Sequence, residues 1–261
     1  MSKRPRRSSL SRPALALAAL TVAAAALAGT GQWTSAGPAG SVVYAFATSA
    51  SSPSKVFALG PDGLLRSEDG GLSWVTVNPH HPNLIALTVA PSVSSTLYAL
   101  NYVTQNVERS EDDGVSWRSF NPHLASEEGV LSLAVDPLSS ASLYIGTYKG
   151  VLKSDDGGQT WAGTSGLPEH NFQALAVDPS NPSTIYAAGG PSGGQWGEIY
   201  RSTDRGAHWT LATSNVSGPV TCLEIDPARP ATLYGCIGTG VVRSVDGGTS
   251  WTDASDGLLA A

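Results

Sequence analysis

A few short stretches carry the side chains whose types and spacing could do chemistry. His80-His81, Glu127-Glu128 and Glu169-His170 each sit in a polar connection between apolar runs. Imidazole beside carboxylate suits recognition of a polar ligand, proton transfer or ligation of a metal such as zinc. The Gly-rich stretch from Gly189 to Glu198 holds Gln195, Trp196 and Glu198. An indole flanked by hydrogen-bonding groups suits stacking on a sugar or anchoring a protein contact. Glu224 interrupts an apolar run, where burial would raise its pKa. The candidate ligand-binding residues are therefore His81, Glu127, Glu169, His170, Trp196, Glu198 and Glu224. No catalytic set and no metal site is assigned. Each candidate has a plainer reading beside the functional one. Polar loops face water anyway, a loop Trp can fold back on its own unit, and Glu224 can line a solvated channel.

Cys222 and Cys236 are the only cysteines, and they flank the turn Asp226 to Thr232 symmetrically about residue 229. Such placement makes two residues directly opposed across a hairpin, within reach of a disulfide. A disulfide is expected, with two buried thiols as the alternative.

The elements that must position these groups repeat. One eight-residue phrase occurs as Ser67-Glu-Asp-Gly-Gly-Leu-Ser-Trp74 and recurs from Ser110, Ser154, Ser202 and Ser244, at intervals of 43, 44, 48 and 42 residues. A period in this range means one supersecondary unit repeated, each too small to bury its own core. The third unit shows the pieces: an apolar run at Val130–Asp136, a second at Ser142–Gly146, a third at Gly150–Ser154, then the phrase and a fourth piece from Trp161. Four short strands per unit make a propeller blade. The expected fold is an all-β propeller of four-stranded antiparallel blades, with five units over residues 41–253. Gln32-Trp33-Thr34 resembles one more fourth strand. The expected arrangement is a five-bladed ring closed by overlap of the termini, and the alternative is an incomplete arc of a larger propeller.

The phrase explains many otherwise tempting residues. Asp69, Asp112, Asp156, Asp204 and Asp246 can accept hydrogen bonds from turn N–H groups and are read as structural. A ring of Ca²⁺ ligands is the competing reading, although the spacing lacks the Glu of an EF-hand loop. Arg66, Arg109, Lys153, Arg201 and Arg243 each precede the phrase and form a ladder, expected to pair with carboxylates of neighbouring blades.

The phrase matches the Asp box, Ser-x-Asp-x-Gly-x-Thr-Trp, of the bacterial-neuraminidase-type repeat, so the chain resembles the Asp-box β-propellers over residues 33–253. That superfamily includes sialidases, xyloglucan-cleaving glycosidases, sortilin-type receptors and photosystem II assembly factors, and the last are closest in repeat style. The resemblance implies a propeller and leaves the activity open. A sialidase-type site would need an arginine cluster, and outside the ladder only Arg118, Arg205 and Arg229 follow residue 28. The xyloglucan-cleaving enzymes pair two propellers, and five units make one. The expected function is a non-enzymatic binding or scaffold module for a glycan or protein. A sialidase-like glycosidase and a self-assembling structural arc are the alternatives. No cofactor is implied beyond the Ca²⁺ reading.

The start of the chain belongs to none of this. Lys3, Arg4, Arg6, Arg7 and Arg12 precede an apolar run from Ala14 to Ala28 that ends Ala26-Leu27-Ala28. This is the layout of a signal peptide over 1–28, followed by a segment 29–40, and it predicts an exported protein. A membrane association is expected only if that segment is retained. Without those five cations the remaining chain has 10 Lys and Arg against 21 Asp and Glu. An acidic surface of this kind argues against nucleic acid as a partner. Residues 254–261 form a tail.

Overall fold

The computed structural model describes residues 38, 42–49, 51–79, 83–124, 128–191, 196–238 and 240–256. They form twenty strands in five sheets, without a helix. Blade one is β1 (Ala45–Ser49), β2 (Ser52–Gly60), β3 (Gly63–Ser67) and β4 (Val75–Asn78). Blade two is β5 (Leu84–Val89), β6 (Leu97–Asn101), β7 (Asn106–Ser110) and β8 (Arg118–Phe120). Blade three is β9 (Val130–Asp136), β10 (Ser139–Thr147), β11 (Gly150–Ser154) and β12 (Ala162–Gly163). Blade four is β13 (Asn171–Val177), β14 (Ile185–Gly190), β15 (Gly197–Ser202) and β16 (Thr210–Val216). Blade five is β17 (Cys222–Ile225), β18 (Leu233–Ile237), β19 (Gly240–Ser244) and β20 (Thr252–Asp253). Every pairing within a blade is antiparallel and sequential, the meander of a β-propeller. In blade three the expected strands at 130–136 and 150–154 match β9 and β11, and β10 starts three residues before the expected Ser142.

The five repeated phrases, called boxes below, are the turns between third and fourth strands, and all five are built alike. In the first, Ser67 Oγ donates to Asp69 Oδ1 at 2.7 Å, and the Gly71 amide donates back to Ser67 Oγ at 2.8 Å. The Ser73 amide and hydroxyl donate to the two Asp69 oxygens at 2.9 and 2.6 Å. The Trp74 indole N–H donates to the Gly71 carbonyl, which pins the ring beneath the turn. Gly71 has φ 95°, a left-handed conformation that glycine adopts without strain. In the fourth box His208 replaces the hydroxyl residue, and its Nδ1 lies 2.7 Å from Asp204 Oδ2. These bonds favour the charged carboxylate, so the pKa values of Asp69, Asp112, Asp156, Asp204 and Asp246 all lie below the usual range. Each box also donates one amide to a carbonyl in or just before its own blade's second strand, as Gly157 does to Ala141 and Gly247 to Ala231.

The core is divided among the gaps between blades. In each second strand two consecutive residues point opposite ways, as β-geometry requires. Leu97 packs back on blade one, and Tyr98 packs forward on blade three. Leu143 and Tyr144, and Ile185 and Tyr186, repeat this in blades three and four. Four apolar clusters result, joining blades one to two, two to three, three to four and four to five. Among the described residues none joins blade five to blade one. The strand expected at 32–34 to close the ring lies outside the described residues.

Polar contacts stitch the same gaps. Tyr98 Oη donates to the Ser140 carbonyl at 2.8 Å, and Tyr144 Oη to the Arg205 carbonyl at 3.1 Å. Arg205 returns to blade three, donating to the fully buried Asp136 at 2.8 Å. The basic ladder departs from expectation. Arg66 does reach Asp113 of the next blade at 3.4 Å. Arg109 and Lys153 instead pair within their own blades, with Glu111 and Asp155. Arg201 and Arg243 lie over the rings of Tyr186 and Tyr234 at 5.9 and 5.8 Å. The register accounts for the last two, since Arg201 and Arg243 stand directly opposite Tyr186 and Tyr234 of their own second strands.

Candidate functional site

The meander puts the blade-to-blade connections and the second-to-third-strand loops at one end of the propeller, and the box turns at the other. At the mouth of blade four three polar groups meet. His170 ends the connection into β13, and Glu198 and Tyr200 lie on β15. His170 Nδ1 lies 2.9 Å from Glu198 Oε2, and Tyr200 Oη donates to the same oxygen at 2.8 Å. His170 and Glu198 were singled out by sequence, and the fold brings them together across 28 residues. Tyr200 was not, because its position in a buried strand reads as core. Its ring packs edge-on against Phe172 with centroids 5.6 Å apart. Burial, and then the bond to Glu198, push the Tyr200 pKa upward, so it stays a proton donor. Gly189 makes this packing possible: a Cβ there would stand 2.5 Å from the Asn171 carbonyl oxygen and 2.9 Å from the Phe172 ring.

Trp196 stands two residues before Glu198 and is 57% exposed. Two aromatics that sequence reading missed occupy the equivalent loops of blades two and three. Tyr102 and Tyr148 are 48% and 45% exposed. The signal was present as an aromatic at the second-to-third-strand loop, but it differs in offset from blade to blade. The Tyr148 ring lies against Gly129, beside Gln105, whose side-chain oxygen accepts the Val130 amide at 2.7 Å. Next to Trp196, Gly197 pairs with Val216, and Val216 lines a cavity of about 300 Å³ with Ser217, Ile237, Trp251 and Asp253. Blade four thus offers an exposed indole and a His–Glu–Tyr hydrogen-bonded set, with the cavity lying between the end of β16 and blade five.

Of the remaining candidates, Glu169 is exposed in the connection next to His170. His81 and Glu127 lie outside the described residues. Glu224 is on β17, away from the blade-four set, and among the described residues its carboxylate has no hydrogen-bond or ion-pair partner. Burial pushes its pKa up to about 7. Cys222 and Cys236 are directly paired in β17 and β18 and form a disulfide, with Cα atoms 4.9 Å apart. The symmetric spacing about residue 229 therefore gave the pairing correctly. Among the described residues, no group of three or more His, Cys, Asp or Glu side chains is placed to hold a metal ion.

No protein-family profile matches the chain. The oligoxyloglucan-reducing end-specific xyloglucanase of Emericella nidulans is 37% identical over 68 residues, which cover 24% of this chain and 8% of that enzyme. Among solved structures, the GH74 xyloglucanase from Xanthomonas campestris superposes with a TM-score of 0.62 at 19% identity, over 80% of this chain and 38% of that one. YCF48 bound to D1 peptide superposes with a TM-score of 0.55 at 17% identity, over 83% of this chain and 68% of that one. The chain thus spans well under half the length of the xyloglucanases it resembles. At these identities the structural likeness establishes the fold, a five-bladed β-propeller whose neighbours lie among glycosidase and YCF48 propellers.

Proposed function

We propose that this chain is an exported, non-catalytic β-propeller that binds a glycan or protein partner at the mouth of blade four. The observation that carries the reading is Trp196, exposed beside the Glu198 carboxylate that His170 and Tyr200 hold in place. A fixed carboxylate next to a free indole supplies directional hydrogen bonding and stacking together, the combination that orients polar ligands. The disulfide supports export, since such bonds persist in oxidising compartments. The test is a glycan array and a partner pull-down with wild type, Trp196→Ala and Glu198→Gln. The reading expects both variants to lose capture roughly ten-fold or more, the scale of a lost interface anchor, with unchanged melting. Equal capture by all three proteins would remove the mouth of blade four from the site.

Glycoside hydrolysis is the second reading, favoured by the 37% identical segment of a xyloglucanase. It requires two carboxyl groups across a scissile bond. Release of sugar from xyloglucan oligosaccharides, abolished in Glu198→Gln or Glu169→Gln, would establish it over the binding reading.

A further inference from the structure

The gap between blades three and four shows what the outer groove between two blades can hold. β12 ends at Gly163, and the chain then runs across the outside of blade four's box. Ser165 forms a parallel bridge with His208. Its amide and hydroxyl both donate to the Ala207 carbonyl, at 3.2 and 2.8 Å, and its carbonyl accepts the Trp209 amide at 3.0 Å. Gly166 follows with φ 86°, and a Cβ there would stand 2.4 Å from the Trp209 carbonyl oxygen. Leu167 packs on the apolar cluster that contains Trp209, Phe172 and Tyr200. Trp209 is left only 3% exposed.

Among the described residues, blade four sends no such segment over the box of blade five. β16 has seven residues where β12 has two, and it stays paired with β15 as far as Val216. The counterparts of the Ala207 carbonyl and the Trp209 amide, at the sixth and eighth places of the repeated phrase, are the Thr249 carbonyl and the Trp251 amide. Neither has a hydrogen-bond partner among the described residues. Trp251 is half-buried. Beside it lies the cavity of about 300 Å³, with Val216 and Ser217 of blade four on one side and Ile237, Val242, Trp251 and Asp253 of blade five on the other. Val242 and Trp251 hold the repeat positions of Tyr200 and Trp209. The cavity is therefore walled by the counterparts of the cluster that receives Leu167 one gap earlier.

We infer that the groove between blades four and five receives an extended segment of a protein partner, carrying a small hydroxyl residue, a glycine and a leucine in succession. The hydroxyl residue pairs its backbone with the Thr249 carbonyl and the Trp251 amide, as a short added parallel strand. The glycine passes Trp251, where a side chain would meet its backbone. The leucine enters the cavity against Val242 and Trp251 and completes the burial of the indole. The site is independent of the blade-four mouth, since neither Trp196 nor Glu198 lines it.

The test is an amide-resonance titration of the isotopically labelled protein with the end-capped peptide Thr-Ser-Gly-Leu-Pro, the sequence of residues 164–168. The Ser250, Trp251 and Ile237 amides should shift and saturate. A peptide with alanine in place of its glycine should leave them unmoved, because of the clash that its Cβ makes. Ser217→Trp, at an exposed position on the cavity rim, should abolish the response, and Trp196→Ala should respond as wild type does. The inference is overturned if the glycine peptide moves none of these amides, if the alanine peptide moves them equally, or if Ser217→Trp responds in full. It is also overturned if maltose or cellobiose moves them and the peptide does not, which would make the cavity a sugar site.

Discussion

Glu224 lies directly opposite Tyr234 in the pairing of β17 with β18, on the face of blade five turned away from its apolar cluster with blade four. Burial without a partner holds the Glu224 carboxyl at about 7 instead of 4.5. A carboxyl whose pKa is raised on folding binds its proton more tightly in the folded chain. Its stabilising contribution is complete below about 4.5 and is lost as pH rises through 7. Glu224→Gln should therefore be more stable than wild type above neutral pH, by about 3 kcal/mol at most. The two proteins should converge in mild acid. Urea unfolding of both across this range checks it, and a difference that does not change with pH would show that ionisation is not the cause.

The tyrosine hydroxyls that cross between blades should separate by position. Tyr98→Phe removes a 2.8 Å bond to the Ser140 carbonyl and should cost about 1 kcal/mol. Tyr234→Phe removes no such bond and should leave stability unchanged. Denaturant midpoints of the two variants measured side by side decide the matter.

The Cys222–Cys236 disulfide closes a separation of 14 residues. Constraint of the unfolded chain over a loop of that size stabilises by about 3 kcal/mol. Reduction should lower the melting temperature, and the Cys222→Ala, Cys236→Ala double variant should melt at the same lower temperature in the presence or absence of reductant.

The boxes predict an acid limit. Hydrogen bonds from Thr160 and Ser154 hold the Asp156 pKa down to about 2 from 3.8. Stability from a depressed carboxyl is present above the ordinary pKa and is lost as pH falls toward the folded value. Asp156→Ala should melt lower at neutral pH and lose less on acidification than wild type. Thermal melts at neutral pH and near the folded pKa of Asp156 give the two slopes, and parallel slopes would sink the account.

Much of this was legible because a repeat is a ruler. Ser67, Asp69, Gly71 and Trp74 recur at fixed offsets, and fixed offsets become one turn geometry. The cysteines were legible for the same reason, since a hairpin converts symmetry about residue 229 into opposition. Contacts between blades were less legible. Arg205 and Asp136 are 69 residues apart, and only the angle between blades brings them to 2.8 Å. Tyr200 was hidden because its hydroxyl, and not its strand position, gives it a role at Glu198. His170 and Glu198 were both visible as candidates, but their contact depends on the sheet bringing β15 near the start of β13.

A core that among the described residues is split into four gaps has a consequence for how the molecule comes apart. Each blade is held only by its neighbours, so the free energy of opening is a sum of local seams and not one global quantity. Blades one and five each have one apolar seam among the described residues, and blades two, three and four each have two. Amide exchange should therefore be fastest in the terminal blades and slowest in blade three, so that the chain unzips from both ends toward its middle.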